Sequence, residues 1–475
     1  MLAFVGVAAS NSAYAQSAEN NDAKIAILEK ELATMQQELH KLQKQSAAPK
    51  PAADVAYIPT KAAPAASGVV VSMPGNRPTF CTADKLNCVA VTGRLQMDTA
   101  LYDYKPNSAA TNPQQAQNGV NSRRARIGVL GTFSGDWDYS LIFDMGGTQD
   151  NTTSIENAYL TYKGIKNLYI DAGYLSVPYT LDEPTGSFNI TFLERASPQV
   201  LATSLAAGDN RSAFGAHANG DWWWLGSYVT GPVSGFNHST RPPVGATARA
   251  VVTPINNQIG SLSLGADAEF LFDTGGAQPT ATAGINNAVS NLTLSDRFEV
   301  RVDPGTNALL NTGTLANVRG ARVLSGEAAT QIGSFYAQGE YFDYSIQRFP
   351  GGGSDLHFAG GYGQASYVLT GEQRKYNPVT GAYNTINPKS PVHWGTSGIG
   401  AWEIAARYSQ VSLNDKNVFG GELRDTSLAV NWYVNTNVRL MFDWIHGRVD
   451  KGNALGTLDL GAHYDVFAAR TQIYF

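Results

Sequence analysis

The stretch from Leu460 to Phe475 constrains the fold more than any other part of the chain. Phe467, Ala469, Thr471, Ile473 and Phe475 share one parity, and Ala468, Arg470, Gln472 and Tyr474 share the other. Side chains on a strand alternate faces with period two. One face here is therefore apolar, and the other carries charge and amide groups. A strand that is apolar outside, polar inside and ends on an aromatic residue suits a lipid-facing β-barrel.

The same alternation recurs from Val89 onward in segments of roughly ten residues separated by turn signals. Leu95, Met97, Thr99 and Leu101 oppose Arg94, Gln96 and Asp98. Ala125, Ile127, Val129 and Phe133 oppose Arg124 and Arg126, and Leu141 and Phe143 oppose Asp144. Trp402, Ile404 and Tyr408 oppose Glu403 and Arg407. Leu428, Val430, Trp432 and Val434 oppose Asn431 and Tyr433, while Val438, Leu440, Phe442 and Trp444 oppose Arg439 and Asp443. Tight turns fall near Gly135, Gly164, Gly220 and Gly333. Long connections fall at 106–121, 176–210, 273–318 and 447–457. That rhythm fits short periplasmic turns and longer outer loops. The count is sixteen strands, ambiguous by two within 273–333, and a barrel of that size leaves an aqueous channel.

No run of eighteen apolar residues occurs, so nothing reads as a transmembrane helix. Backbone crossing a bilayer must satisfy its own hydrogen bonds, which leaves a closed barrel as the membrane solution. The 48 Gly, 22 Tyr and 10% aromatic content agree, although a large soluble β-protein could share them. A net charge of −5 argues against a nucleic-acid partner.

The amino end has a different character. Leu2–Ala9 is apolar and Ala13-Tyr14-Ala15 is a small-x-small site, so residues 1–15 read as a signal peptide, against the alternative of an unstructured terminus. Within 16–48, Ile25, Leu28, Leu32, Met35, Leu39 and Leu42 follow 3–4 spacing, the a/d stripe of a coiled coil. At three heptads a lone helix is marginal in water, which favours self-association over an amphipathic helix resting on another surface. A contact with a periplasmic or cell-wall partner through residues 19–46 is the structural alternative. Residues 49–88 comprise an Ala/Pro-rich linker and a cysteine loop, followed by the barrel over 89–475. Cys81 and Cys88, in an exported chain, read as one disulfide closing a small loop. Metal ligation finds no neighbouring His or Cys pair, and no cofactor motif is present.

Several segments resemble the phosphate-selective porin O/P family of Gram-negative outer membranes. They are Arg123 to Gly128 (RRARIG), Ile155 to Gly164 (IENAYLTYKG), Asp182 to Pro198 (DEPTGSFNITFLERASP), Ala401 to Asp415 (AWEIAARYSQVSLND) and Asn431 to Met441 (NWYVNTNVRLM). The resemblance covers about Val89 to Phe475. It implies a sixteen-stranded, trimeric, lipid-embedded barrel passing small anions by diffusion, with the third outer loop, here about 176–210, folded into the lumen. Two departures bear on phosphate. Ser176 stands where the family usually carries a Lys, and Gly245 to Thr253 offers only Arg249 where tight anion binders have a denser ladder. A multiply charged phosphate needs several converging cations.

Pore selectivity comes from rings of charge and from the width of the constriction. The lumen candidates by parity are Arg94, Arg124, Arg126, Arg249, Arg407 and Arg439, joined by Arg195 in the inward loop. Asp98, Asp144, Glu194 and Asp443 supply opposing charge. The plainer reading makes each an ordinary lumen ion pair of little worth. Trp402, Trp432, Tyr433, Trp444 and the Trp222-Trp223-Trp224 run read as interfacial anchors rather than a saccharide track. No Gly-x-Ser-x-Gly elbow or His-x-x-x-His pair supports catalysis. The alternatives to an anion porin are a general or carbohydrate-admitting porin on the same frame, and an envelope tether working through the coiled coil.

Overall fold

The computed structural model describes residues 68–475 apart from 108–115, 148–152, 207–209, 277–289, 304–307, 394, 396 and 454–457. Of residues 1–67 it describes only Lys30, Ala33, Thr34, Gln36 and Gln37, all helical. The signal peptide, the linker over 49–67 and all but those five residues of the coiled-coil segment lie outside the described residues.

A hairpin of β1 (Val69–Ser72) and β2 (Thr79–Thr82) leads onto the barrel, β2 pairing with the start of β3. Cys81 and Cys88 face each other across that pairing and are joined by a disulfide. Sixteen long strands then follow. They are β3 (Cys88–Pro106), β4 (Gly119–Phe133), β5 (Trp137–Asp144), β6 (Ser154–Ile165), β7 (Leu168–Leu175), β8 (Arg211–Asn219), β9 (Trp223–Thr230), β10 (Val244–Asn256) and β11 (Gly260–Asp273). After the two-residue pair β12 (Ser295–Asp296) and β13 (Leu310–Asn311) come β14 (Val318–Ile332), β15 (Phe335–Arg348) and β16 (Leu356–Val368). A second small pair, β17 (Tyr376–Asn377) and β18 (Ala382–Tyr383), precedes β19 (Ala401–Asp415), β20 (Val418–Tyr433), β21 (Val438–Asp450) and β22 (Ala462–Tyr474). Each long strand pairs antiparallel with its neighbours, and β22 pairs with β3 from Ala462↔Pro106 to Tyr474↔Arg94. The sheet is thus a closed barrel of sixteen strands without a free edge, as the alternation requires. Among the described residues no helix is long and apolar enough to cross a membrane.

Alternation holds on the wall. Leu101, Phe442 and Phe467 are exposed outside, and Asp98, Arg439 and Arg470 are buried inside. The wall is uneven in height: β5, β7, β8 and β9 have eight or nine residues, whereas β19 and β20 have fifteen and sixteen. Turns at one end are tight. Ser134 and Gly135 both adopt positive φ (51° and 76°), the I′-type geometry that matches strand twist. Expected lengths fail at one place. The connection 369–400, between β16 and β19, belongs to the tight-turn end yet is the longest there, and β19 and β20 meet at the opposite end through Lys416 and Asn417 alone.

Three connections fill much of the lumen. The first, after β7, carries helices at Asp182–Thr185 and Ser197–Leu205 and is buried almost throughout from Leu175 to Ala206. The second runs between β11 and β14, and its described part includes Phe298, packed between Tyr102 (4.9 Å between rings) and Tyr464 (4.8 Å). The third is 369–400. Two aromatic expectations change as a result. Tyr433 points inward and donates to Glu403 (2.8 Å). Trp224 is also inward, its indole donating to the Val379 carbonyl (3.0 Å), while Trp222 stays exposed outside. Trp402 and Trp432 do stack on the outer face, 5.2 Å apart.

Candidate functional site

The loop after β7 crosses the lumen, and its backbone explains most of the buried charge. Buried N–H and C=O groups need partners. One side of the barrel supplies acceptors. Thr180 N–H donates to Asp267 of β11 (3.2 Å), Leu181 N–H to Glu340 of β15 (2.7 Å) and Ala206 N–H to Glu269. The other side supplies donors. Arg407 donates to the Glu194 carbonyl (2.8 Å), Arg439 to Ile190 O (2.9 Å), Arg470 to Leu193 O (2.5 Å) and Asn431 to Thr191 O (2.9 Å). Asp443 accepts from Leu193 N–H (2.8 Å). Arg407 also pairs with Glu299 of the second connection (2.5 Å). Arg407 and Arg439, expected on an open wall, therefore hold the loop in place.

Arg249 is likewise committed. It lies 1% exposed, forms a fork with Glu327 (2.8 and 3.1 Å), and donates to Gly381 O of the third connection (2.7 Å). Gly381 (φ 62°) comes so near that an added Cβ would sit 3.0 Å from Trp224 and 3.1 Å from Arg249. Arg374, on the same connection, pairs with Glu403 (3.1 Å) and donates to Asn189 O of the first loop (2.7 Å). Arg195 pairs with Glu183 (3.1 Å) within its own loop.

A cavity of about 390 Å³ opens against β3–β9. Arg94, Arg124 and Arg126 form one wall; Asp171, His217 and Tyr228 line another, with Glu156 and Glu183 also present. Arg126 bonds Asp144 (2.7 Å) and Glu156. Arg124 donates to Gln96 (2.9 Å) and stands 3.6 Å from Glu194. Arg94 donates to the neutral Ser187 hydroxyl (2.8 Å) over the Phe188 ring, and among the described residues no carboxylate lies within ion-pair distance of it. Ser176 donates its hydroxyl to Glu183 (2.9 Å), so a carboxylate occupies the neighbourhood where a Lys was the expectation.

Glu194, in the loop, gathers Arg123 (2.8 Å), Arg124 and Arg470 (2.7 Å). Burial alone would raise its pKa, but these three guanidinium groups outweigh it and hold the carboxyl well below its ordinary value. Period-two reading places Arg123 outside. A bulge opposite Gln96/Met97 leaves it unpaired between Ser122 and Arg124 and turns it inward. Arg470 completes the set through its fork on Asp98 (2.6 and 2.7 Å). Its parity was legible, but its partners depend on stagger. Glu299, Arg374 and Glu327 also escaped the sequence reading, the first two because they arrive on connections.

A closed sixteen-stranded wall with lipid-facing apolar residues, a loop-narrowed lumen and a charged remaining passage defines an outer-membrane porin of a Gram-negative bacterium. Residues 89–475 match the phosphate-selective porin O and P family, and the chain belongs to it. Porin O of Pseudomonas aeruginosa is 26% identical over 431 residues, covering 83% of this chain and 90% of that one. An uncharacterised protein of Caulobacter vibrioides is 25% identical, covering 95% of this chain and 90% of its own. Among solved structures, OmpT of Vibrio cholerae aligns over 82% of this chain and 98% of its own, at TM-score 0.49 and 10% identity. The anion-selective porin of Comamonas acidovorans aligns over 82% and 99%, at TM-score 0.46 and 12% identity.

Proposed function

We propose that this porin passes small anions by diffusion and that Arg94, Arg124 and Arg126 carry its selectivity. The observation behind this reading is Arg94, a guanidinium lining the open cavity that bonds a neutral hydroxyl and, among the described residues, forms no direct ion pair. Arg124 adds part of its charge, since Glu194 is shared among three arginines. Arg195, Arg249, Arg407 and Arg439 act as positioning residues that fix the constriction. Asp144 orients Arg126 and caps two backbone N–H groups, those of Ala125 and Gly146 (3.0 Å each). With so few unbalanced cations, phosphate enters as one anion among several rather than as a tightly held ligand. The family's description supports phosphate as an admitted solute.

The low wall of β5 and β7–β9 supports a trimer. Eight residues tilted at about 40° rise only about 20 Å, short of the roughly 25 Å apolar band, so a neighbouring barrel completes the cover. The coiled-coil segment would hold the three chains together on the periplasmic side. The deciding experiment is the reversal potential of the purified protein in a planar bilayer under a salt gradient, followed by phosphate titration. Anion selectivity with only weak phosphate block is expected. Cation selectivity would refute the reading.

A further inference from the structure

Four neighbouring strands gather acidic residues on the inner wall, and none of these carboxylates lines the cavity described above. Arg249 of β10 faces Asp267 of β11, whose partner on β14 is Ser325. Glu327 stands two residues along β14 from Ser325, and Glu340 of β15 lies directly opposite Glu327. Glu327 leans across Gly265 of β11, where a Cβ would come within 2.6 Å of its side chain. One carboxylate oxygen from each of Asp267, Glu327 and Glu340 lies within 4.8 Å of the other two, and all three residues are buried. Like charges facing each other across paired strands repel.

The cations fall short of offsetting them. Among the described residues, only Arg249 lies within ion-pair distance of the group, forking onto Glu327 and standing 3.6 Å from Asp267. The remaining partners are neutral. Thr180 N–H (3.2 Å) and the Ser325 hydroxyl (3.2 Å) donate to Asp267, and Leu181 N–H (2.7 Å) and the Tyr362 hydroxyl (2.6 Å) donate to Glu340. Asp182 of the loop, held by Gln338 (2.7 Å), adds a further carboxylate beside Glu340. Three carboxylates against one guanidinium leave two negative charges, and neutral donors do not cancel them. Unbalanced charge out of water is costly.

A second observation comes from outside the carboxylates. Tyr179 is fully buried beside Ser325 and Asp267, and its hydroxyl closes no hydrogen bond. Buried hydroxyls in folded proteins are bonded, and an ion among the carboxylates, or a water on that ion, would satisfy this one. The spacing indicates which ion. Calcium takes six to eight oxygens at about 2.3–2.6 Å, so ligands on opposite sides of it stand roughly 4.6–5.2 Å apart. The oxygens of Asp267, Glu327 and Glu340 meet that spacing. Magnesium, with bonds of about 2.0–2.1 Å and a strict octahedron, would need about 4.1 Å. One divalent ion also cancels the two charges that Arg249 leaves.

We propose that Asp267, Glu327 and Glu340 bind one calcium ion, which ties β11, β14 and β15 to the loop at Thr180 and Leu181. The test strips the full-length protein in detergent with EGTA, dialyses it metal-free at neutral pH and titrates it with calcium by calorimetry. The wild-type protein should take up one tightly held calcium per chain, with magnesium competing weakly. Glu340→Gln and Asp267→Asn keep an amide oxygen to accept from Leu181 and Thr180, yet each should weaken binding about tenfold or more, since affinity follows the count of ligand charges. Glu269→Gln is the control: Glu269 also accepts a loop N–H but stands outside the group, so calcium affinity should not change. Lack of a tight calcium in the wild type would mean that protons balance the carboxylates, and would overturn the proposal. Undiminished affinity in both variants, or an equal loss in Glu269→Gln, would overturn it as well. If the variants fail to assemble, the anomalous signal of terbium in wild-type crystals decides: a peak among Asp267, Glu327 and Glu340 supports the site, and peaks only elsewhere refute it.

Discussion

Replacing Arg94 by Gln removes a cavity-lining charge that makes no direct ion pair while keeping a donor for Ser187. An ion passing about 6 Å from the guanidinium through water feels about 0.7 kcal/mol, favourable for an anion and unfavourable for a cation. At 0.1 M salt the Debye length of about 10 Å trims this to about 0.4 kcal/mol, so the two ions differ by about 0.8 kcal/mol. That corresponds to a loss of about three- to fourfold in the anion-to-cation permeability ratio, read directly from reversal potentials. The effect should fade at 1 M salt, where screening extends over only about 3 Å. A ratio unchanged within error at 0.1 M would refute the assignment of selectivity to Arg94. It would also show that the balanced pairs around Arg126 set the field instead.

Arg470→Ala strips Asp98 and Glu194 of a shared buried partner and should cost about 3–5 kcal/mol, seen as a lower temperature for loss of the heat-resistant form on gels. Arg249→Ala should cost a similar amount by stranding Glu327, with no loss of anion selectivity in bilayers. Gly381→Ala forces a side chain into left-handed backbone against Trp224, so the third connection should loosen by about 1 kcal/mol and single-channel current noise should rise. Because the folded-state pKa of Glu194 is depressed, its contribution is complete above the ordinary carboxylate range and is lost only as pH falls through the depressed value. The Glu194 contacts with Arg123, Arg124 and Arg470 should therefore persist from pH 7 to pH 4, read from the carboxyl carbon shift of Glu194 in a labelled sample.

The barrel was legible because a lipid-facing wall enforces alternation residue by residue. Leu95 to Leu101 and Phe467 to Phe475 announce their faces without any tertiary information. Which lumen charges meet was not legible, since that depends on strand stagger and on loops arriving from elsewhere. Arg407 and Arg94 look alike by parity, yet one holds a loop carbonyl and the other faces the passage. Arg123 defeated the period-two rule through a single bulge. The inward course of 369–400 has no period to read. Its only trace in the sequence is the cluster of Gly371, Pro378, Gly381, Pro388 and Pro391, which marks a connection without saying where it goes.

Arg470 sits on the last strand, forks onto Asp98 of the first, and holds the carbonyl of Leu193 in the loop. Sealing the cylinder and completing the loop's anchorage thus share one side chain. A chain lacking β22 would lose the seam and this clasp together, leaving the loop to the contacts from β11, β15 and β19–β21. The last strand to arrive therefore both shuts the wall and tightens the sieve inside it.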